Sequence, residues 1–290
     1  MKLLNSPIQT ITYKNQTFLV KRDDLLHEDF SGNKARKFYY FLENEFPHID
    51  TVVSYGSNQS NAMYSLSVLC KLKRWRFIYY IDHIPSYLKK NPSGNYQYAI
   101  KNGMEIKLGS WEQEKKSSNK LFINEGGALK EAQYGLKLLA DEITAYKKQN
   151  SIKNLKLFLP SGTGTTALFL QKYLNNIVLT CPCVGDSNYL SKQFLKLESD
   201  TSKHPTIIAP DKKYHFGKLY KDNFLLWRDI KEKTKIEFDL LYDPIGLKTF
   251  LSLEKEKNTT YLYVHQGGLK GNKTMIERYF FKYPDLDIKK

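Results

Sequence analysis

The chain has 290 residues, of which 41% are hydrophobic, with 16 Phe and 21 Tyr; this excludes a disordered chain and predicts one large domain or two lobes. The formal net charge is +15, from 45 Lys and Arg against 30 Asp and Glu. The cations are scattered in short groups without a nucleic-acid-binding signature, which favours a solvated surface; a basic nucleic-acid-binding protein remains the alternative.

Short apolar runs alternate with helical stretches along the chain. Helices are predicted from residue 32 or 33 to about 45, from about 60, from about 128 to 149, and after the apolar run at 155–159. This alternation predicts an α/β fold with parallel sheets. Strands are predicted at residues 18–20, 51–55, 77–81, 105–108, 121–123, 155–159, 177–180 and 261–265.

Three cysteines bear on the cell compartment and on metal binding. Cys70 lies in an apolar run and is predicted to be a core residue. Cys181 and Cys183 are too few for a zinc site, which needs four ligands, so no metal is expected. An odd number without a pattern fits a reducing compartment. The N-terminus lacks a signal-peptide core, and no stretch approaches the ~20 apolar residues of a membrane span. We therefore expect a cytoplasmic protein without a membrane partner.

Lys34 is the first candidate for chemistry. It lies between Gly32 and an amphipathic helix, and Arg36 and Lys37 follow it closely. Burial or neighbouring cations destabilise an ammonium group, and a neutral lysine condenses with carbonyls. A solvated surface lysine is the competing interpretation of this setting alone.

Two strand–turn–helix junctions follow in the chain. At residues 54–61 a strand ends and a helix begins near Ser60 and Asn61, where free backbone N–H groups favour a carboxylate; a plain helix cap is the alternative. At residues 159–168 a run of small residues leads into an apolar helix, which is typical of a phosphate site. It is neither a P-loop nor a G-x-G-x-x-G motif, and a bare turn is the alternative.

The three features together predict a cofactor. An aldehyde with a phosphate group, pyridoxal 5'-phosphate (PLP), would use a lysine for a Schiff base and a hydroxyl-rich loop for its phosphate. The helix start between them would then take the carboxylate of an amino acid substrate.

A family resemblance runs through most of the chain. Residues 21–25 and 31–37 resemble the K-R-[DE]-D and G-N-K-x-R-K motifs of the 1-aminocyclopropane-1-carboxylate (ACC) deaminase/D-cysteine desulfhydrase family of fold-type II PLP enzymes. The resemblance implies that Lys34 is the Schiff-base lysine. Residues 54–61 resemble S-x-G-x-x-Q-S-N, which implies that Ser60 binds the substrate carboxylate and Asn61 the 3′ oxygen of PLP. An S-N-Q match at 57–59 also exists, and the gap-free register favours Ser60 and Asn61.

Three further segments carry the resemblance. Residues 125–127 resemble the family's P-E-G-G, with Asn124 in place of proline, and residues 265–268 resemble H-x-G-G. The remaining segment resembles the G-S-G-G-T phosphate loop, which implies phosphate contacts from Ser161, Gly162, Thr163, Gly164, Thr165 and Thr166.

The segment from residue 242 to residue 248 departs from the family's D-P-V-Y-[ET]-G-K. Aligned on Asp243, it is one residue shorter, it lacks the tyrosine that reaches the cofactor, and Leu247 replaces the Glu or Thr at the pyridine nitrogen. The family uses that tyrosine and glutamate to open cyclopropane, so this register argues against ACC deaminase activity. Tyr242, or a residue near Tyr214, is the candidate substitute.

The resemblance implies an α/β fold of two lobes, each with a largely parallel sheet flanked by helices, and PLP in the cleft. The large lobe is predicted at residues 1–44 and 151–290, and the small lobe at 45–150. The implied function is a PLP-dependent lyase that eliminates a β-substituent from a small amino acid, with D-cysteine as the best candidate, in a homodimer. A PLP-binding member with altered or lost activity and an ACC deaminase are the alternatives.

Overall fold

The computed structural model describes residues 3–112, 114 and 117–286, and within that part ten strands form two sheets flanked by ten helices. The strands are β1 (Ile8–Tyr13), β2 (Gln16–Arg22), β3 (Thr51–Tyr55), β4 (Arg76–Ile81), β5 (Met104–Leu108), β6 (Lys120–Ile123), β7 (Leu155–Ser161), β8 (Ile177–Pro182), β9 (Thr206–Ile207) and β10 (Thr260–His265). The helices are α1 (Gly32–Glu43), α2 (Asn61–Lys73), α3 (Ser86–Lys90), α4 (Gly94–Lys101), α5 (Ala132–Gln149), α6 (Thr165–Tyr173), α7 (Ser187–Leu195), α8 (Lys221–Thr234), α9 (Asp243–Leu251) and α10 (Asn272–Lys282).

The larger sheet has the order β1-β2-β10-β7-β8-β9. All its neighbours pair in parallel except the β1–β2 hairpin, whose two turn residues, Lys14 and Asn15, have φ of 48° and 58°. Positive φ at both positions gives the turn a twist that matches its strands. Strand β10 therefore lies between two strands that come much earlier in the chain, and it joins the two halves of the sheet.

Alternation along the strands divides the core into two layers. Phe18 and Val20 pack with α8, α9 and α10 on one face of the larger sheet, while Leu19 between them packs with α5, α6 and α7 on the other. Successive side chains of a strand point to opposite faces, so a run without polar residues is the pattern of a sheet covered on both sides.

The smaller sheet has the order β5-β4-β3-β6 and is parallel throughout. Helices α1, α2 and α4 cover one face, where Cys70 is 1% exposed, so its predicted core position is confirmed. Helix α5 packs on the larger sheet and also crosses α1 closely, since a β-carbon at Gly135 would lie 2.0 Å from the carbonyl oxygen of Arg36. The lobe boundaries at residues 45 and 150 stay a prediction.

The predicted α/β class with parallel sheets is confirmed, and two local expectations change. The hairpin strand β1 was not predicted, and α5 begins at Ala132, later than the predicted 128. Gly126 and Gly127 both have φ of 70°, a left-handed conformation that delays the helix. No helix among the described residues has the length and apolarity needed to cross a bilayer.

Candidate active site

A cavity of about 1070 Å³ opens where the carboxyl ends of β3, β7 and β10 meet, which is the usual place for ligands of parallel sheets. Helix α10 and the loop around Phe216 form part of its wall. The structure brings the predicted site residues together, and all of them line this cavity: Lys34, Ser60, Asn61, Ser161, Gly162, Thr163, Gly164, Thr165 and Thr166.

Lys34 and Lys37 lie one turn apart on α1 and face the cavity. Their Nζ atoms donate to the same carbonyl oxygen, that of Gly126, over 3.2 Å and 3.0 Å. Burial lowers the pKa of Lys34 to about 8, and burial together with the Lys34 charge holds the pKa of Lys37 well below its usual range. Lys34 is therefore a lysine whose amine is partly neutral near physiological pH, as a nucleophile requires.

Arg36 does not act on Lys34, which corrects the expectation that it would be a cationic neighbour. Its guanidinium points to the opposite side of α1, where Nη2 donates to Asp23 over 2.9 Å and Nη1 donates to Glu142 over 2.7 Å. Lys21 also donates to Glu142, over 2.6 Å. Arg36 therefore anchors the helix that carries Lys34 and has no part in the cavity chemistry.

The start of α1 is held against the end of β10. A β-carbon at Gly32, which has φ of 66°, would lie 2.0 Å from the carbonyl oxygen of Gln266, so only glycine fits. The side chain of Gln266 accepts from Asn33 over 2.9 Å and donates to the carbonyl of Pro160 over 2.6 Å. These contacts fix Lys34 relative to the loop that follows β7.

That loop, residues 161–166, has the geometry of an anion site. Gly164, with φ of 72°, is the residue before α6, and the first amides of a helix have no partner within the helix. Thr163 lines the cavity, and its Oγ1 lies 3.2 Å from Oγ1 of Thr165. A β-carbon at Gly126 would lie 2.9 Å from Cγ2 of Thr163. The carbonyl that holds both lysines thus packs directly against this loop.

The hydroxyl of Ser161 is used inside the sheet. Its Oγ lies 2.7 Å from Oγ1 of Thr180, which itself donates to the carbonyl of Leu159 over 2.8 Å. The Ser161 hydroxyl proton is therefore committed to Thr180.

Ser60 caps α2, as the structural interpretation of this junction proposed. Its Oγ accepts from the amides of Ala62 and Met63 over 3.2 Å and 3.3 Å. Ser60 also forms a side-chain hydrogen bond with Tyr79, so a carboxylate in the cavity would compete with Tyr79 for the Ser60 hydroxyl proton. Asn61, the first residue of α2, lies beside it and donates to Asp239 over 3.4 Å.

The expectation that Leu247 stands at the cofactor is wrong. Leu247 belongs to α9, and its side chain is fully buried in the core. Tyr242, just before α9, and Asp243, its first residue, line the cavity instead. The Tyr242 ring lies 3.3 Å from the place of a β-carbon on Gly162. In a register four residues earlier, from Asp239 to Asp243, the segment contains both the tyrosine and an acidic residue of D-P-V-Y-[ET].

Two acidic residues of the cavity, Asp239 and Glu125, were not predicted as site residues. Burial raises the pKa of Asp239 to about 6, although the amides of Tyr242 and Leu241 and the charge of Lys34 oppose the rise. Burial and the charge of Asp82 raise the pKa of Glu125. Glu125 could have been found, since it lies in the P-E-G-G match; Asp239 gave no signal in the register used.

The residues present fit PLP. The phosphate group would meet the loop at residues 161–166 and the buried amine of Lys37, and the aldehyde would meet Lys34. Lys37 contacts no carboxylate among the described residues, so it presents an uncompensated cation when protonated. A helix start, a cation and threonine hydroxyls form the donor set that a phosphate requires.

Comparisons with solved structures show the fold. The chain is similar to an ACC deaminase homologue, with a TM-score of 0.76, 18% identity and 95% of each chain covered. It is similar to a hydrogen sulfide-producing enzyme from Fusobacterium nucleatum (TM-score 0.66, 15% identity, 92% of this chain and 97% of the other). It is also similar to O-acetyl serine sulfhydrylase isoform 3 from Entamoeba histolytica (TM-score 0.66, 12% identity, 97% and 90%). No protein-family model and no curated protein match the sequence.

The chain therefore has the fold of the fold-type II PLP-dependent enzymes, and the predicted fold class is confirmed.

Proposed function

We propose that this protein is a PLP-dependent lyase that eliminates a β-substituent from a small amino acid, with D-cysteine as the substrate we favour. The observation that carries the proposal is the position of Lys34. Its amine, with a pKa of about 8, lies in the same cavity as the phosphate-type loop and the start of α2. When bound, PLP supplies an electron sink for carbanions at the substrate's α-carbon.

The chain's own residues divide the work in this proposal. The loop at 161–166 and Lys37 hold the phosphate, and Ser60 at the start of α2 holds the substrate carboxylate in exchange for its hydrogen bond with Tyr79. Lys34 would hold the cofactor, and its amine would take the α-proton of the substrate. A general base works best with a pKa near the working pH, which fits a lysine lowered to about 8.

D-cysteine suits this arrangement better than ACC does. Cysteine has an α-proton for Lys34 to take and a thiolate as leaving group, and with one water it gives pyruvate, ammonia and hydrogen sulfide. The α-carbon of ACC is quaternary and has no such proton. Support comes also from the similar fold of a protein described as hydrogen sulfide-producing, although at 15% identity.

A PLP-binding member with altered chemistry is the second candidate, and one observation favours it. The cavity of about 1070 Å³ extends past the amino acid site to Tyr87, Phe216 and Phe281, which are 62%, 46% and 90% exposed. Such a mouth accommodates a substrate larger than cysteine.

The first test identifies the lysine that binds PLP covalently. The protein is loaded with PLP, reduced with borohydride and digested, and the modified lysine is mapped by mass spectrometry. We expect the adduct on Lys34, and none in Lys34→Ala. Lys101→Ala, on the exposed side of α4, is the matched control and retains the adduct. An adduct on another lysine would show the assignment to be wrong.

The second test is turnover. D-cysteine, L-cysteine, serine and ACC are offered at equal concentration, and pyruvate and hydrogen sulfide are measured. We expect pyruvate with hydrogen sulfide from D-cysteine, and little or no product from ACC. PLP bound at Lys34 without turnover of any of the four would favour the altered-chemistry candidate.

A further inference from the structure

Three polar side chains from distant segments form a chain beside the cavity. Asn95, in the first turn of α4, donates through Nδ2 to Oδ1 of Asn61 over 2.7 Å. Asn61 in turn donates through its own Nδ2 to Oδ2 of Asp239 over 3.4 Å. Asn95 and Asp239 are 1% and 5% exposed, while Asn61 lies at the cavity surface. The amide of Asn61 is thus held between a donor on one side and an acceptor on the other.

The donor side of this chain has a fixed direction. Nδ2 of Asn95 also donates to the carbonyl oxygen of Gln59, over 2.9 Å. If the side-chain amide of Asn95 were rotated by about 180°, its oxygen would face two acceptors, Oδ1 of Asn61 and the carbonyl oxygen of Gln59. In its present direction, Oδ1 of Asn95 is buried without a hydrogen-bond partner among the described residues, which is unfavourable. The unpaired oxygen is tolerated because this direction of the amide keeps the N–H groups of Asn95 on Asn61 and Gln59.

The acceptor side is fixed as well. Oδ1 of Asp239 accepts from the amides of Leu241 and Tyr242 over 2.8 Å and 2.7 Å, so only Oδ2 remains for Asn61. With a pKa of about 6, Asp239 is mainly a carboxylate at pH 7, and a carboxylate only accepts hydrogen bonds. Asn61 must therefore turn its NH2 group toward Asp239.

We propose that Asn95 and Asp239 are positioning residues that set the direction of the Asn61 amide, so that an oxygen of the bound cofactor meets an N–H and not a carbonyl. One N–H of Asn61 is directed to Asp239, and the other is free for the cavity. The inference rests on the proposed function, in which Asn61 contacts the 3′ oxygen of PLP. An N–H there stabilises negative charge on that oxygen, and a carbonyl would repel it.

A double-mutant cycle tests this proposal by two measurements that do not require turnover, the dissociation constant of PLP and the position of its lysine-linked absorbance band. Asn95→Ala removes the donor. Asp239→Asn keeps the oxygen that accepts from the amides of Leu241 and Tyr242, and places an NH2 group against the NH2 group of Asn61. We expect each variant to weaken PLP binding at least tenfold and to shift the band toward the ultraviolet.

The same substitutions are then made in an Asn61→Ala background. If Asn95 and Asp239 act through Asn61, neither has a further effect beyond about twofold, because residues that share one interaction are not additive. Asn102→Ala is the matched control. It follows α4, and its Nδ2 donates to Ser67 over 3.0 Å, away from the cavity. It leaves both readouts unchanged.

Three results overturn the proposal, and the last is distinguishable from the first two. Full effects of Asn95→Ala and Asp239→Asn in the Asn61→Ala background, or wild-type spectra and affinity in both single variants, reject the positioning role while PLP binding stands. Failure of the wild-type protein to form the lysine-linked band rejects the proposed function and the inference with it.

Discussion

Lys34 and Lys37 share one acceptor, the carbonyl oxygen of Gly126, and neither forms an ion pair with a carboxylate of the described chain. Two buried amines so placed cannot both keep a full charge without cost. The arrangement therefore lowers the stability of the ligand-free protein and makes the cavity attract anions.

The first prediction concerns the variant Lys37→Met. Methionine fills a similar volume without a buried amine, so we expect the cofactor-free protein to gain about 1–3 kcal/mol in the free energy of unfolding. The affinity for PLP and for inorganic phosphate should fall at least tenfold, because a cation at the phosphate is lost. Urea unfolding and ligand titration measure the two effects. Lys101→Met, at an exposed position, serves as the control, and a less stable Lys37→Met would contradict the argument.

The second prediction concerns pH. The pKa of Lys34 falls from 10.5 to about 8 on folding, mainly through burial. Between these values the unfolded chain binds more protons, so this group makes stability rise with pH. Compared with Lys34→Met, the cofactor-free wild type should be least stable below pH 8, and the gap should close as the pH approaches 10.5. Urea unfolding of both proteins across this range measures it, and a constant gap would show that Lys34 is not perturbed.

The third prediction concerns the buried ion pairs of α1. Arg36→Met leaves Asp23 and Glu142 without their partner, and breaking a buried pair costs about 3–5 kcal/mol. Arg76→Met removes an ion pair with Glu105 that is largely exposed, and should cost below about 1 kcal/mol. Chemical unfolding of both variants makes the comparison. Equal losses would mean that burial of the Arg36 network is not what matters.

Acid provides a further check on the same network. Burial alone would raise the pKa of Glu142, but hydrogen bonds and charge from Arg36, and then from Lys21, lower it. A lowered carboxyl pKa contributes stability above the unfolded value of about 4.3, and this is lost as the pH falls through the folded value. The wild type should therefore lose more stability than Arg36→Met between pH 5 and the acid transition.

The fourth prediction tests the phosphate loop at Thr163. Gly164 is unsuitable, since a β-carbon there would lie 2.4 Å from Phe194 and 2.6 Å from Leu190, and any side chain would disturb α7. Thr163 faces the cavity, so Thr163→Asp adds a negative charge without such a clash. We expect PLP affinity to fall at least tenfold by isothermal titration. Thr163→Asn, of the same shape but neutral, should stay within a few-fold, and equal losses would point to shape rather than charge.

The fifth prediction concerns Tyr242. Tyr242→Phe keeps the ring that packs beside Gly162 and 5.5 Å from Phe216, and removes only the hydroxyl. If the hydroxyl transfers a proton in the reaction, kcat should fall about 100-fold or more while PLP affinity stays within about twofold. Steady-state kinetics on the best substrate decides. Tyr87→Phe at the cavity mouth is the control, and an unchanged kcat for Tyr242→Phe would exclude this role.

The sequence predicted the parts of the molecule that depend on local pattern. The strand at Thr51–Tyr55, the cap at Ser60 and the lysine at the start of α1 all follow from short-range rules of polarity and turn chemistry. The side to which Arg36 points depends instead on Asp23 and Glu142, the latter more than a hundred residues away, and no local pattern carries that information.

The largest error came from anchoring a motif on the wrong residue. Asp243 and the proline after it matched the first two letters of the family pattern. This register placed Tyr242 before the motif, so Tyr242 was predicted only as a substitute for the missing tyrosine. In the fold, Asp239 takes the place before the helix, with its carboxylate on the amides of Leu241 and Tyr242. Two aspartates four residues apart are hard to tell apart by local pattern, and contacts from other segments distinguish them, since Asp239 accepts from Asn61 and Asp243 accepts from Tyr263.

The central position of β10 has a consequence for how the protein is made. Strands β2 and β7 each pair with β10 and not with each other, so the six-stranded sheet stays in two pieces until the ribosome has released residues 260–265. Until then the nascent chain exposes two unpaired strand edges, which are sites of misassociation.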